Sequence, residues 1–293
     1  MKILVFGAGS LGSLIGGMLA RVHDVTMVGR KPHMRSVRDG GLVVEGKMDV
    51  RVTPNARTTV PASASVDLAI VTVKSFDTSQ AARALVRCEP HAVLSLQNGL
   101  GNERILSEHL DGVLAGTCTY GATYEPGRVR CTGVGEIVLG PPDGGRSKHA
   151  DRVASAFEAA GLIATVAEDM PRRLWEKLAV NTGINAPTAL ARIKNGELDA
   201  GPATEIAETA ARETAHAARQ EGIDLTGDEV VEAVRRVIDA TADNTSSMLQ
   251  DVRSERPTEI DAINGYVAEY DDTPVNTTLA GLLRAWEHER GLR

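Results

Sequence analysis

Lys177, Asn181 and Asn185 recur at steps of four in the segment from Trp175 to Pro187, among Leu178, Ala179, Val180 and Ile184. On a helix each residue turns about 100° and rises 1.5 Å, so a step of four advances about 40° and climbs about 6 Å. All three side chains then project toward one neighbour. A lysine supplies a proton and a positive charge, and each amide offers donors and an acceptor to a small polar ligand. A solvated helix face is the competing reading of a lysine alone. Two asparagines among apolar residues weigh against it, since Asn is a poor helix former and its amide is costly to bury unpaired.

The chain opens with a short apolar strand, Lys2-Ile-Leu-Val-Phe6, that runs into Gly7, Ala8, Gly9, Ser10, Leu11 and Gly12 and then into the small, apolar stretch Ser13 to Ala20. This is G-x-G-x-x-G between a strand and a helix, the setting that gives the pattern meaning. Gly7 permits the tight turn, Gly9 lets the backbone approach a pyrophosphate, and Gly12 lets helix and strand pack closely. The phosphates are held at the helix N-terminus. A plain glycine-rich turn is the alternative, and the strand that opens the chain argues against it.

The next strand, Val25 to Gly29, ends where NAD enzymes carry Asp or Glu for the ribose hydroxyls, about twenty residues past the glycines. Here the chain has Arg30-Lys31. A guanidinium there suits a 2′-phosphate, so the expected cofactor is NADP(H), against a solvated pair of charges at a strand end.

Composition sets the frame for these residues. With 293 residues, 42% hydrophobic and 24% charged, the chain is long enough for two domains with sizeable cores. A net charge of −7 and 3% aromatics argue against nucleic acid as a partner. No apolar run reaches about eighteen residues and no signal peptide precedes the first strand, so a cytoplasmic protein without a membrane partner is expected. Cys88, Cys118 and Cys131 form neither a pair at C-x-x-C spacing nor a metal cluster, so no metal is expected.

Apolar runs at 67–73, 92–96 and 113–117 read as buried parallel strands, with helices near 76–87 and 101–110 between them. That is an α/β arrangement with an N-terminal doubly wound sheet of Rossmann type. Segments 128–132 and 136–140 read as two further strands joined at Gly133 to Gly135, and 147–160 as another helix. Beyond Glu168 the pattern turns to long helical periodicities at 171–192, 203–221, 226–241, 259–270 and 276–290. The expected division is therefore 1–168, binding the dinucleotide, and 169–293, an all-helical domain carrying substrate and catalysis.

Ligands of such sheets sit beyond the carboxyl ends of strands. Lys74 follows Val71-Thr-Val73 and Asn98 follows Ser95-Leu-Gln97, so both are candidates. Lys74 also reads as a surface charge ahead of a helix, and Asn98-Gly99 as a turn. Ser247 and Glu259 stand out in the late polar stretch Ser246 to Asn264. Glu259 has a plain alternative role in the first turn of a helix capped by Thr258, where the dipole favours an anion.

Taken together these residues resemble the ketopantoate reductase family nearly end to end. The resemblance rests on Gly-Ala-Gly-Ser-Leu-Gly at 7–12, Val-Lys at 73–74, Asn-Gly at 98–99, Glu-Lys-Leu-Ala-Val-Asn at 176–181 with Asn185, Asn-Gly-Glu-Leu at 195–198, Ser-Ser-Met-Leu-Gln-Asp at 246–251 and Pro-Thr-Glu-Ile-Asp at 257–261. It implies a dinucleotide-binding domain and a helical domain with the active site in the cleft between, and NADPH-dependent reduction of 2-dehydropantoate to (R)-pantoate on the way to pantothenate and coenzyme A. It further implies that Lys177 protonates the ketone oxygen and that Glu259 holds the substrate hydroxyl. Asn98, Asn181, Asn185 and Ser247 would bind the rest of a small 2-oxo acid, Lys74 and Asn98 would lie along the cofactor, and a homodimer is compatible with it. The loop Glu269-Tyr-Asp-Asp-Thr-Pro274 is shorter and more acidic than the family's usual His-Gly-containing loop.

A β-hydroxyacid dehydrogenase would share the cofactor fold, but the glycine-rich helix motif expected before its lysine is absent before Lys177. A reductase of the same family acting on another branched 2-oxo acid is the main alternative. A non-catalytic NADPH sensor would keep the glycines without needing Lys177 and Glu259 together.

Overall fold

The computed structural model describes residues 1–62 and 65–293. It divides into two compact units, the first Met1–Gln97 with Gly101–Met170 and the second Asn98–Leu100 with Pro171–Arg293.

Among the described residues the first unit is built on twelve strands: β1 (Lys2–Phe6), β2 (Asp24–Val28), β3 (Leu42–Gly46), β4 (Val50–Val52), β5 (Asn55–Arg57), β6 (Leu68–Val71), β7 (Val93–Ser95), β8 (Val113–Cys118), β9 (Gly121–Glu125), β10 (Arg128–Gly133), β11 (Ile137–Gly140) and β12 (Ala164–Val166). Its helices are α1 (Ser10–Leu19), α2 (Lys31–Gly40), α3 (Thr78–Leu85), α4 (Asn102–Ser107) and α5 (Lys148–Ala159). Eight strands form the main sheet in the order β12-β11-β8-β7-β6-β1-β2-β5. From β5 to β8 neighbouring strands are parallel, while β11 runs antiparallel to β8 and parallel to β12. Chain order reverses at β1, which lies between β2 and β6, and this is where a doubly wound sheet binds nucleotides. Alternation along the strands feeds two cores: Ile3 and Val5 pack with α1 and α5, whereas Leu4, Ala69 and Val71 pack with α3 and α4.

A second sheet, β4-β3-β10-β9, covers the outer face of α1. Two adjacent glycines make the double contact possible. A Cβ at Gly16 would lie 3.3 Å from Val5 of the main sheet, and one at Gly17 would lie 2.8 Å from Val44 of the second. The helix thus meets both sheets at near-backbone distance. The strands expected at 128–132 and 136–140 are present as β10 and β11 and are connected through Gly133 to Gly135, but they do not pair with each other: β10 pairs with β3 and β9, and β11 with β8 and β12. Val129 and Cys131 are needed to bury α1's outer face, so the two strands part at the glycines and enter different sheets.

The second unit is helical: α6 (Met170–Ala191, its first residue closing the first unit), α7 (Pro202–Gln220), α8 (Gly227–Ala240), α9 (Ser247–Arg253), α10 (Asn264–Val267) and α11 (Pro274–His288). Buried alanines of α7 at 207, 210, 211, 215, 217 and 218 let its neighbours approach closely. The helix expected over 259–270 is not continuous. A 3-10 turn occupies Ile260–Ala262, Ile263 breaks from helical geometry at φ −108° and ψ −100°, and only then does α10 begin. Among the described residues no helix is long and apolar enough to cross a membrane.

Candidate active site

The glycine turn is fixed from three sides. Gly7 has φ +110°, and a Cβ there would lie 2.6 Å from the Val73 nitrogen. A Cβ at Gly12 would lie 2.3 Å from the Gly7 carbonyl oxygen, so helix and turn touch backbone to backbone. The Thr72 hydroxyl donates to that same carbonyl at 2.8 Å. Above Gly9, by contrast, a Cβ would meet nothing among the described residues nearer than the Gly7 carbonyl at 3.9 Å, and none of their side chains caps the N-terminus of α1. Those are the features a pyrophosphate cradle needs: a tight turn, an uncovered backbone and helix N–H groups free of a side-chain cap. The residues present therefore fit a dinucleotide.

Arg30 is exposed at the N-cap of α2 with extended backbone, φ −66° and ψ 144°, and Lys31 beside it is exposed as well. Their place is set by Gly29, where a Cβ would lie 2.8 Å from that of Ala8 in the glycine turn. Both Gly7 and Ala8 donate backbone N–H to Val28. Two cations thus stand one residue from the glycine turn.

Lys74 lies half-buried just past β6, as the N-cap of a 3-10 turn that the strand reading had not separated from the helix. A residue not singled out from sequence holds this corner: the Gln97 amide donates to the Val73 carbonyl at 3.1 Å and to the Thr78 hydroxyl at 2.7 Å.

In the second unit the stripe exists as spaced, since Lys177, Asn181 and Asn185 all lie within α6. Lys177 is half-buried and Asn185 buried. The Asn181 Nδ2 is buried and finds no hydrogen-bond partner among the described residues. Glu259 is 5% exposed, and Asn98 reaches it with an amide donor 3.4 Å from Oε2. That contact depends on Gly99, whose φ is +80° and whose absent Cβ would lie 2.3 Å from the Ala262 carbonyl oxygen. Leu100 then donates its N–H to the same carbonyl at 3.1 Å. Asn98-Gly99 is a turn, and the turn presents Asn98 to Glu259. The alternative reading of Glu259 as an anion in a first helical turn lacks its helix, because Glu259 precedes only the three-residue 3-10 turn.

Buried polar residues that the sequence reading does not single out as site candidates tie these pieces together. Asn264 donates to the Thr182 carbonyl at 3.2 Å and to Asn276 Oδ1 at 2.9 Å, joining the segment after Glu259 to α6 one residue past Asn181. Thr188 and Ser246 share a hydroxyl hydrogen bond of 2.7 Å, which fixes the start of α9 on α6. Ser247 is exposed at the first position of α9, beside its N-cap Ser246. Apart from Ser247, each of these is a neutral polar residue in an ordinary setting, and nothing in its local sequence distinguishes it from a surface residue.

With this geometry in view, comparison with known proteins is decisive. The family model for ketopantoate reductase PanE/ApbA matches residues 3–144, and the model for its C-terminal part matches 169–287. The chain belongs to the ketopantoate reductase family. A 2-dehydropantoate 2-reductase from Halobacterium salinarum is 44% identical to it over 298 aligned positions, covering 97% of this chain and 98% of the relative, and one from Pyrococcus horikoshii is 37% identical with 98% of each covered. Among solved structures, a PanE/ApbA family ketopantoate reductase from Ralstonia eutropha superposes with TM-score 0.91 at 32% identity over 99% of this chain and all of that one. A ternary complex of D-mandelate dehydrogenase with NADH and anilino(oxo)acetate superposes with TM-score 0.92 at 26% identity, covering both chains fully. The family fold of an N-terminal doubly wound sheet followed by helices is the fold of this chain.

Proposed function

We propose that this chain reduces 2-dehydropantoate to (R)-pantoate with NADPH, a step toward pantothenate and coenzyme A. The observation that carries the reading is the buried, unpartnered Asn181 amide one turn beyond Lys177. Leaving such a donor unsatisfied costs about 1–3 kcal/mol, a penalty that a bound polar substrate removes. When bound, NADPH supplies the hydride that adds to the 2-oxo carbon. Gly7 to Gly12 and the N-terminus of α1 would hold its pyrophosphate, Arg30 its 2′-phosphate, and Lys74 and Asn98 its nicotinamide end. Lys177 delivers a proton to the ketone oxygen as negative charge develops there, and its own positive charge stabilises that oxygen beforehand. Asn181, Asn185 and Ser247 orient the carboxylate and hydroxyls. Glu259, supported by Asn98, accepts the substrate hydroxyl and keeps a carboxylate near the cationic acid. Among these, the substrate residues, Asn98 included, all come from the second unit, and the cofactor residues other than Asn98 from the first.

The test is a panel of 2-oxo acids with the purified protein, following loss of NADPH absorbance. Turnover of 2-dehydropantoate well above that of other branched or aryl 2-oxo acids supports the reading. The fold likeness to D-mandelate dehydrogenase, whose complex holds anilino(oxo)acetate, favours a second reading in which the enzyme takes another 2-oxo acid. A panel in which 2-dehydropantoate is inert and another member is reduced establishes that one instead. The cytoplasm is proposed as the compartment and a homodimer as the assembly to test by light scattering, with neither nucleic acid nor membrane as partner, in keeping with the net charge of −7.

A further inference from the structure

Glu259 is held from behind by a residue 28 positions later in the chain. The side chain of Glu287, on α11, is 1% exposed. Its Oε1 accepts two hydrogen bonds from Thr258, from the backbone N–H at 2.7 Å and from the hydroxyl at 2.6 Å. The same hydroxyl oxygen accepts the Ile260 N–H at 3.3 Å, so both neighbours of Glu259 are fixed to one carboxylate oxygen and the hydroxyl bound to it. The other oxygen of Glu287 is held by Arg293 Nε at 2.6 Å. Arg293 also reaches Asp261 Oδ2 at 2.5 Å, and Arg284 Nε donates to Asp261 Oδ1 at 2.8 Å. Thr258, Glu287, Arg293, Asp261 and Arg284 therefore form a continuous chain of hydrogen bonds that braces the turn carrying Glu259.

A buried carboxylate is expensive unless its lone pairs are filled, and here donors from Thr258 and Arg293 serve both oxygens. Helix packing alone has no need of such a charge. Charge-assisted bonds are short and directional, which suits them to holding a backbone angle. The angle in question is that of Glu259, which sits at φ −92° and ψ 27° between the two tied residues.

We infer that Glu287 is a positioning residue for the reaction, fixing through Thr258 the direction in which the Glu259 carboxylate meets the substrate hydroxyl. The inference rests on the proposed role of Glu259. Kinetics of the full chain with NADPH and 2-dehydropantoate, for Glu287→Gln, Glu259→Gln and the double variant, test both at once. Glu287→Gln should lower kcat/KM by about tenfold or more, the factor for losing one charged hydrogen bond, and should add less than about threefold in the Glu259→Gln background. Its loss should be much smaller on a 2-oxo acid lacking the hydroxyl, a difference that a merely structural role does not produce. Should Glu287→Gln fail to fold, Thr258→Val removes the hydroxyl alone and should show the same selective loss, with Thr258→Ser restoring the parent. Equal losses in both backgrounds, or equal losses on both substrates, overturn the inference while leaving Glu259 in its role. Parent-like turnover in Glu259→Gln overturns the role of Glu259 and the inference with it.

Discussion

Lys177 and Glu259 carry the heaviest demands at the level of single residues. Lys177→Ala should lower kcat by about 10²–10⁴, the range for losing a positioned general acid, while cofactor fluorescence titration still shows NADPH binding. Near-normal turnover would return Lys177 to a solvated helix face. Glu259→Gln should leave the melting temperature almost unchanged and cut kcat/KM for 2-dehydropantoate by about tenfold or more. A 2-oxo acid without the hydroxyl should be a poor substrate for the parent and lose far less on mutation. If both substrates lose alike, Glu259 orients Lys177 rather than holding the hydroxyl. Lys177, Asn181 and Asn185 were legible because helical spacing is local and α6 keeps that spacing. The bracing of Glu259 was not, since Thr258 and Glu287 meet only through the packing of α11. Thr258 looked like a helix cap, and its hydroxyl instead donates to Glu287.

At the level of elements, His33 on α2 joins three parts of the first unit. It is 2% exposed, accepts the Gly127 N–H at Nδ1 at 3.1 Å and lies 2.9 Å from the Ser13 hydroxyl through Nε2, with Tyr124 edge-on to its ring. With Nδ1 accepting, the proton of the neutral ring sits on Nε2 and points to Ser13. Burial pushes its pKa below the ordinary 6.5, against a smaller opposing pull from the Glu125 backbone. The unfolded chain then binds a proton that the folded one resists. Stability from this contact is complete above pH 6.5 and is lost as pH falls from there through the folded pKa. Thermal melts between about pH 7.5 and 5 should show this decline in the parent and a shallower one in His33→Gln. Equal slopes would remove His33 from the account. The parallel strands around β1 were legible as unbroken apolar runs. The second sheet was not, because its strands are short, half-exposed and paired across long stretches of chain, β3 with β10 above all. In the same way α11 begins where Glu213 of α7 accepts the N–H groups of Val275 and Asn276, a cap that no neighbouring residue announces.

For the whole molecule, ligand binding and stability are one equilibrium. NADPH at about a hundred times its Kd should add about 2.7 kcal/mol to unfolding. A contact from Arg30 to the 2′-phosphate worth about 1.5–3 kcal/mol makes NADH at least roughly tenfold weaker, so at equal concentration it should raise the melting temperature less. In Arg30→Ala the two shifts should converge, and the NADPH preference in kcat/KM should narrow with them. Equal shifts in the parent would dismiss Arg30 as the selecting residue. The change from alternating strands and helices to helices alone was plain in the periodicity. That Asn98–Leu100 belongs with the second unit was not, because the Gly99 approach to Ala262 spans more than half the chain. The second sheet on α1 also bears on chimera building. A first strand, glycine turn and helix brought in from another protein would need a glycine at 17, or would have to bring its own β3, because a Cβ there would lie 2.8 Å from Val44.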